Sequence, residues 1–288
     1  TEVSFGSKIT ISKTSIDTLT NNTLWNNTVL SGFLKTNIDI LELKEVVNWF
    51  DDVFKPLISP KTNLESFVTN HIDSENIFKK NVIEILRKAD LHIEDIRIEE
   101  KEEFVPEGVL TILENTAVDD EHKKHINSIR QTGKISMLNL EFVHNFNNEL
   151  YNLPFDEESH GTQRFYGLSG ILDLLVRTDS FIPIDELESS LHPDLYIHFL
   201  LMHLVNTSKS QLIATTHNRE ILKDRNLFRD DAIWFADKQD TGNTFIYSLD
   251  HFESNIVRDT SNIFNAYKIG KLGGIPELED YYLDFKYD

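Results

Sequence analysis

The chain has 288 residues, 40% of them hydrophobic, which is enough to bury a core in one large domain or two smaller ones. It contains no cysteine, so a disulfide framework and a thiolate metal site are both excluded. Its net charge of −20 repels phosphate backbones, and Lys79-Lys80 and Lys123-Lys124 are pairs rather than patches, so nucleic-acid binding by this chain is disfavoured.

No apolar run reaches the roughly 18–20 residues that a bilayer span needs. The chain begins at Thr1, without Met and without a signal-like segment; the expectation is a soluble cytoplasmic protein whose start has been removed. Phe5 to Ser12 alternates loosely and reads as a strand or hairpin arm, followed by a polar loop from Thr18 to Asn27. Leu41 to Phe54 carries apolar residues at Leu41, Leu43, Val46, Val47, Trp49, Phe50 and Phe54, a helical spacing that Ser59-Pro60 ends. Asn63 to Asn70 and Ser74 to Ala89 read as two more helices, the second with Ile77, Val82, Ile85 and Leu86 mainly on one face.

Leu91 to Glu99 alternates as a strand, and the charge run Glu99 to Glu103 reads as a solvated turn. Thr116 to Gln131 is polar and reads as a loop or lid-like excursion, and Ser136 to His144 is a strand by its period of two. From Ser159 onward short apolar runs alternate with helices. Ser180 to Ile184, Gln211 to Thr215 and Ala232 to Ala236 have strand length, and Asp194 to Val205 is apolar on nearly all sides, hence a buried helix. Strand, helix and strand at this spacing predict a parallel sheet with crossover helices. Asp240-Thr-Gly-Asn predicts a hairpin turn pairing Ile233–Lys238 with Thr244–Leu249 at a sheet edge.

Three segments carry chemistry. Phe181-Ile-Pro-Ile ends in Asp185-Glu186, and strand ends in an open α/β sheet face the ligand crevice. Asp185 there suits Mg²⁺, which prefers hard oxygen ligands, and Glu186 suits the orientation and deprotonation of a water. The plain alternative is a strand ending in a solvated acidic turn. Gln211-Leu-Ile-Ala ends in Thr-Thr-His217, and one crossover of about 30 residues brings both ends to the same sheet edge. His217 could donate a hydrogen bond to a phosphate oxygen; alone it reads as one of 11 ordinary histidines. Upstream, Ser159-His-Gly161-Thr162-Gln163-Arg164 opens an amphipathic helix through Phe165, Leu168, Leu172 and Leu175. Ser159 suits its cap, and Gly161 lets an anion approach backbone N–H groups.

In this order the three segments resemble the second half of an ABC-type ATPase head of the SMC-like and OLD-like group, which includes abortive-infection and phage-defence ATP-binding proteins. Ser159 to Arg164 resembles the ABC signature, Ile182 to Glu186 the Walker B strand, Glu188 to Pro193 the D-loop, and Thr215 to Asn218 the switch-histidine loop. Ala232 to Lys238, Ile246 to Leu249 and Tyr267 to Pro276 are similar to the same group, so the resemblance covers roughly Phe155 to Pro276.

The resemblance implies a P-loop NTPase α/β fold with a largely parallel sheet and an N-terminal helical and β insertion region. It implies a division into residues 1–150 (insertion or arm), 151–250 (ATPase core) and 251–288 (helical tail). It also implies ATP and Mg²⁺ as cofactors and a homodimer closed around ATP. Asp185 would serve the metal, with Glu186 and His217 catalytic. Ser159, Gly161, Thr162, Gln163 and Arg164 would contact nucleotide in trans, and Ser189, Ser190, Leu191 and His192 would form the D-loop at the dimer interface. The tail after Leu249 is too short for a TOPRIM nuclease, so any effector is expected to be a separate protein; DNA is not supported by the charge, and a membrane is not expected.

The chain departs from that pattern in two main ways and two milder ones. No G-x-x-x-x-G-K-S/T is present: Gly133-Lys134 is followed by Ile135, and Ser128 stands where the first glycine belongs. Without that loop ATP affinity is expected to collapse, because its backbone and lysine cradle the phosphates. Pro183 inside the Walker B strand removes a ladder donor, so a bulge or a missing hydrogen bond is expected beside Asp185. His160 and Glu188 are milder departures. Two other readings stand beside the ATPase: a non-hydrolysing scaffold or regulatory subunit that binds a partner protein, and an unrelated α/β domain with chance motifs.

Overall fold

The structure, a computed structural model, describes residues 2–7, 9–74, 76–116, 126–127, 129–252, 263–276 and 280. Three short helices open the chain: α1 (Lys13–Asn22), α2 (Val29–Phe33) and α3 (Leu41–Asn48), the last running on as a π-helical turn over Trp49–Val53. Among the described residues from Phe5 to Ser12 none is in the expected strand, and the expected loop from Thr18 is helical as far as Asn22. Ser12 accepts the Ser15 N–H at 3.1 Å as an N-cap. Thr18 and Asn22 satisfy their polar groups on carbonyls one turn back. Leu19 is buried against Phe33 and Ile40, so a polar sequence still holds one apolar anchor.

Helices α4 (Leu64–Ser74) and α5 (Asn76–Lys88) form as the spacing predicts. Both pack on α7 (His160–Arg177), the central helix, which buries Phe165, Tyr166, Leu168, Ile171, Leu172 and Leu175. The contact with α4 is close because α7 has glycine where α4 crosses. A Cβ on Gly167 would lie 2.6 Å from Leu64 Cβ, and one on Gly170 would lie 2.5 Å from Val68 Cγ2.

The largest sheet is antiparallel, with β2 (Lys134–Phe146) between β1 (Ile93–Phe104) and β3 (Glu149–Pro154). This corrects the expectation of a largely parallel sheet. The charge run Glu99 to Glu103 is also strand rather than turn, paired from Glu99↔Asn139 to Glu103↔Ile135. Both faces are exposed there, so the acidic side chains stay in water while β2 supplies the backbone partners, and Lys134 meets Glu102 at 2.6 Å. Helix α6 (Glu107–Thr116) follows β1; most of the polar excursion predicted over Thr116 to Gln131 lies outside the described residues.

The predicted parallel unit forms at smaller scale. Strand β4 (Phe181–Ile184) pairs in parallel with β5 (Gln211–Ala214) through α8 (Pro193–Asn206). Residues 54–58 run along the other edge of β4, bridging Phe54 to Phe181 and Ile58 to Ile184. Helix α8 is not buried on all sides: Tyr196, Phe199, Leu200 and Met202 face the core, while Leu201, Leu204 and Val205 are exposed. One core joins both sheets, running from Val68, Phe78 and Val82 through Ile93 and Phe142 to Ile182, Ile184 and Phe199.

The predicted hairpin forms from β6 (Trp234–Lys238) and β7 (Thr244–Ser248), with Gly242 at φ +83° in its turn. It is a separate two-stranded sheet rather than an edge of the parallel one. Its own small core joins Phe235 and Leu249 to Ile263 and Ala266 of α9 (Ile263–Lys268) and to Leu272.

Candidate functional site

The site lies where β4 and β5 end. Asp185 and Glu186 leave β4, and Thr215, Thr216 and His217 leave β5 beside them. The Thr215 hydroxyl joins the two ends: it donates to Asp185 Oδ1 at 2.5 Å and accepts the Glu186 backbone N–H at 2.9 Å. The ladder continues past the strands, with Thr215 N–H on the Ile184 carbonyl at 3.0 Å and Leu187 N–H on the Thr215 carbonyl at 3.2 Å. His217 Nε2 then stands 3.7 Å from Glu186 Oε1, the two side chains 87% and 44% exposed. The carboxylate pair and the imidazole therefore share one open rim.

Pro183 has the effect its chemistry demands. On the 54–58 side, Lys55 N–H donates to the Phe181 carbonyl, and Ile58 N–H, three residues on, donates to the Pro183 carbonyl two residues on. The neighbouring segment thus holds an extra residue opposite the missing Pro183 donor, as a bulge does. Regular pairing resumes at once, since Asp185 N–H donates to the Ile58 carbonyl at 2.7 Å. The bulge lies outside β4, and Asp185 stays anchored.

The turn after the acidic pair is tight. Glu186 has φ +47° and Ser190 φ +65°, left-handed conformations that cost a non-glycine residue about 1–3 kcal/mol and persist where surrounding bonds hold them. Those bonds are Ser189 N–H to the Glu186 carbonyl and Leu191 N–H to the Glu188 carbonyl. Leu191 packs against the main core. His192 caps α8, its Nδ1 accepting the Asp194 N–H at 3.3 Å, with Pro193 at the first helical position.

At the head of α7, Ser159 caps the helix as expected, accepting the Thr162 N–H at 3.1 Å, and its hydroxyl lies 2.9 Å from that of Thr162. Thr162 is buried, and Gln163 turns its amide back onto the Phe155 and Glu158 carbonyls. Ser159 is exposed and Gly161 half-buried. A Cβ on Gly161 would lie 3.2 Å from the Ser190 carbonyl oxygen, so this turn packs against the turn at Ser190 of its own chain. Arg164 is half-buried, with Nε and Nη2 enclosed and unpartnered, and burial lowers its pKa. Behind the turn, Glu158 Oε1 and His144 Nε2 form a buried pair at 2.5 Å.

Sequence reasoning missed two contributors. Thr215 was legible only as part of the Thr-Thr-His run. Glu188 accepts the His217 backbone N–H on Oε1 at 2.6 Å, and no spacing rule points to it. Among the described residues no group of three or more His, Asp or Glu side chains is disposed to chelate a metal. Asp185, with one oxygen on Thr215, instead suits a cation that keeps most of its waters, as Mg²⁺ does. A concavity of about 570 Å³ lies elsewhere, lined by Arg225, Arg229, Asp230, Asp231 and Asp250 among others. It includes none of the motif residues, and its arginines already pair with Asp230 and Asp231.

Residues 9–223 match the family described as AAA domain, putative AbiEii toxin, Type IV TA system. That span is more than half of the chain, and the protein belongs to this family. It is accordingly an AAA-domain protein, with an α/β fold. No curated protein matches. Among solved structures, the chain is similar to the Smc head domain of Pyrococcus furiosus, a structure with an extended coiled coil bound to the C-terminal domain of ScpA. The identity is 16% and the TM-score 0.33, over 80% of this chain and 46% of that one. The chain thus spans less than half the length of that structure. Among the described residues no helix is long and apolar enough to cross a membrane.

Proposed function

We propose that this chain is the catalytic-side part of an ATP-hydrolysing head of the SMC-like and OLD-like kind, acting in the cytoplasm as a homodimer that closes around Mg-ATP and controls a separate effector, with phage defence as its setting. The observation that carries this reading is the convergence of Asp185, Glu186 and His217 on one rim, locked by the Thr215 hydroxyl. Asp185 would hold Mg²⁺, largely through waters that the ion keeps. Glu186, whose carboxylate is open to solvent, would orient a water and take its proton, and His217 would donate a hydrogen bond to the charge that develops opposite. Bound nucleotide supplies the phosphoryl group; every other part is positioning by this chain.

Ser159, the exposed member of the signature turn, is best placed to meet a neighbouring subunit, with the half-buried Gly161 beside it, and Arg164 gives that turn an enclosed positive charge. Thr162 and Gln163 support them from within. Ser189, Ser190, Leu191 and His192 form the connecting segment between turn and rim. The division into 1–150, 151–250 and 251–288 belongs to the same proposal. The test is ATP turnover by the full-length protein with and without Glu186→Gln. Turnover should vanish in the variant while nucleotide binding is retained; unchanged turnover would remove Glu186 from the reaction.

A further inference from the structure

The imidazole of His217 is 87% exposed, so packing does little to fix it. Its position depends on its backbone, and the backbone is held from the opposite strand end. Glu188 Oε1 accepts the His217 N–H at 2.6 Å, a charge-assisted bond. The other oxygen, Oε2, is buried with no partner, so this carboxylate's one hydrogen bond among the described contacts is the one to His217. Tyr196 is fully buried; burial pushes its phenol up to about 12, a side-chain hydrogen bond with Thr216 opposes that, and the Glu188 carboxylate adds to it. Thr216, next to His217, accepts the Asn218 N–H at 3.0 Å and completes a short rigid turn.

We propose that Glu188 is a positioning residue: by gripping the His217 backbone N–H it fixes the Thr-Thr-His turn and sets the imidazole within reach of Glu186. This inference rests on the proposed ATPase reading for its consequence but not for its geometry. Glu188 leaves the tight turn two residues after Glu186, so one segment delivers both the carboxylate on the rim and the clamp on the opposing loop. Removing the clamp frees the loop without touching Asp185, Glu186 or the Thr215 bridge.

Two measurements test this together, on the full-length protein with Glu188→Ala, Glu188→Gln and His217→Ala. The first is native-state amide hydrogen exchange at His217, with Ile213 in β5 as the internal control. Loss of a charge-assisted bond should speed exchange at His217 by about 10- to 100-fold in Glu188→Ala and leave Ile213 unchanged. Glu188→Gln keeps an acceptor oxygen and should stay within roughly threefold of the wild type. The second is ATP turnover. Glu188→Ala should lower kcat about tenfold or more with KM nearly unchanged, Glu188→Gln should recover most of it, and adding Glu188→Ala to His217→Ala should cost nothing further.

Unchanged exchange at His217 overturns the proposal, and so does a full additional loss in the His217→Ala background. If the wild type hydrolyses no ATP, the ATPase reading has failed, and the exchange experiment still decides whether Glu188 clamps the loop.

Discussion

Replacing Thr215 with valine keeps the shape of the side chain and removes the hydroxyl that ties Asp185 and Glu186 to the end of β5. Two hydrogen bonds are lost: a charge-assisted one to Asp185 Oδ1 at 2.5 Å and one from the Glu186 N–H at 2.9 Å. Bonds to charged groups contribute about 1.5–3 kcal/mol and neutral ones about 0.5–1.5 kcal/mol. Thr215 is exposed, so water re-solvates both partners and the low end applies, about 2 kcal/mol in all. The second bond also holds Glu186 at φ +47°, so relaxation of that strained residue swings its carboxylate away from the rim. At about 2–4 °C per kcal/mol for a domain of this size, the unfolding midpoint should fall by roughly 4–8 °C. Turnover by the full-length protein should fall about 10- to 100-fold, the usual cost of a displaced reacting group. Thr215→Ser retains the hydroxyl and should sit within about 1 kcal/mol of the wild type. Calorimetry and a steady-state phosphate-release assay read both quantities. A valine variant as stable and as active as the wild type, or a serine variant as impaired as valine, would refute the bridging role.

Further outcomes follow from the packing and the buried charges. Gly167→Ala should destabilise by about 1–3 kcal/mol, because its Cβ would lie 2.6 Å from a Leu64 Cβ that no rotamer change can move. Gly108→Ala, with open space around it, should not, and equal losses in urea titrations of the two would contradict the close α4–α7 contact. Glu158→Ala removes the hydrogen-bond partner of His144; the side chains are 7% and 10% exposed, so a loss of about 1.5–3 kcal/mol is expected by urea denaturation. Burial lowers the pKa of His203, so the folded state disfavours its proton. The stability it contributes is present above the unfolded value of 6.5 and is lost as pH falls below that value through the folded pKa. Unfolding midpoints measured across that range should drop less in His203→Leu than in the wild type. Tyr196 behaves in the opposite sense: its folded pKa of about 12 against an ordinary 10 means stability is lost as pH rises from 10 through 12, and Tyr196→Phe should flatten that loss.

The parts of the molecule that were legible in the sequence are those where local pattern and tertiary context agree. Ile182 and Ile184 alternate into the core, and the carboxylates follow at the strand end, so both the strand and the acidic rim at its end could be read directly. Ser159 announces a helix start by capping chemistry alone and caps as expected, and Pro193 stands in the first turn of its helix. The failures occur where a distant partner decides. Glu99 to Glu103 has the composition of a turn and becomes strand because β2 extends beside it. Thr18 to Asn22 has the composition of a loop and becomes helix because Leu19 is buried. The Glu188–His217 contact joins residues on different strands, and only the parallel register of β4 against β5 brings them together.

The central claim is that Glu186 and His217 act as one unit across two strand ends. Single-turnover ATP hydrolysis by the full-length protein, compared for Glu186→Gln, His217→Ala and the double variant, tests it most directly. The double variant should be no slower than the worse single variant, because each loss already disables the shared step. A double variant whose loss equals the product of the two single losses would show that the two groups act independently and would contradict the account.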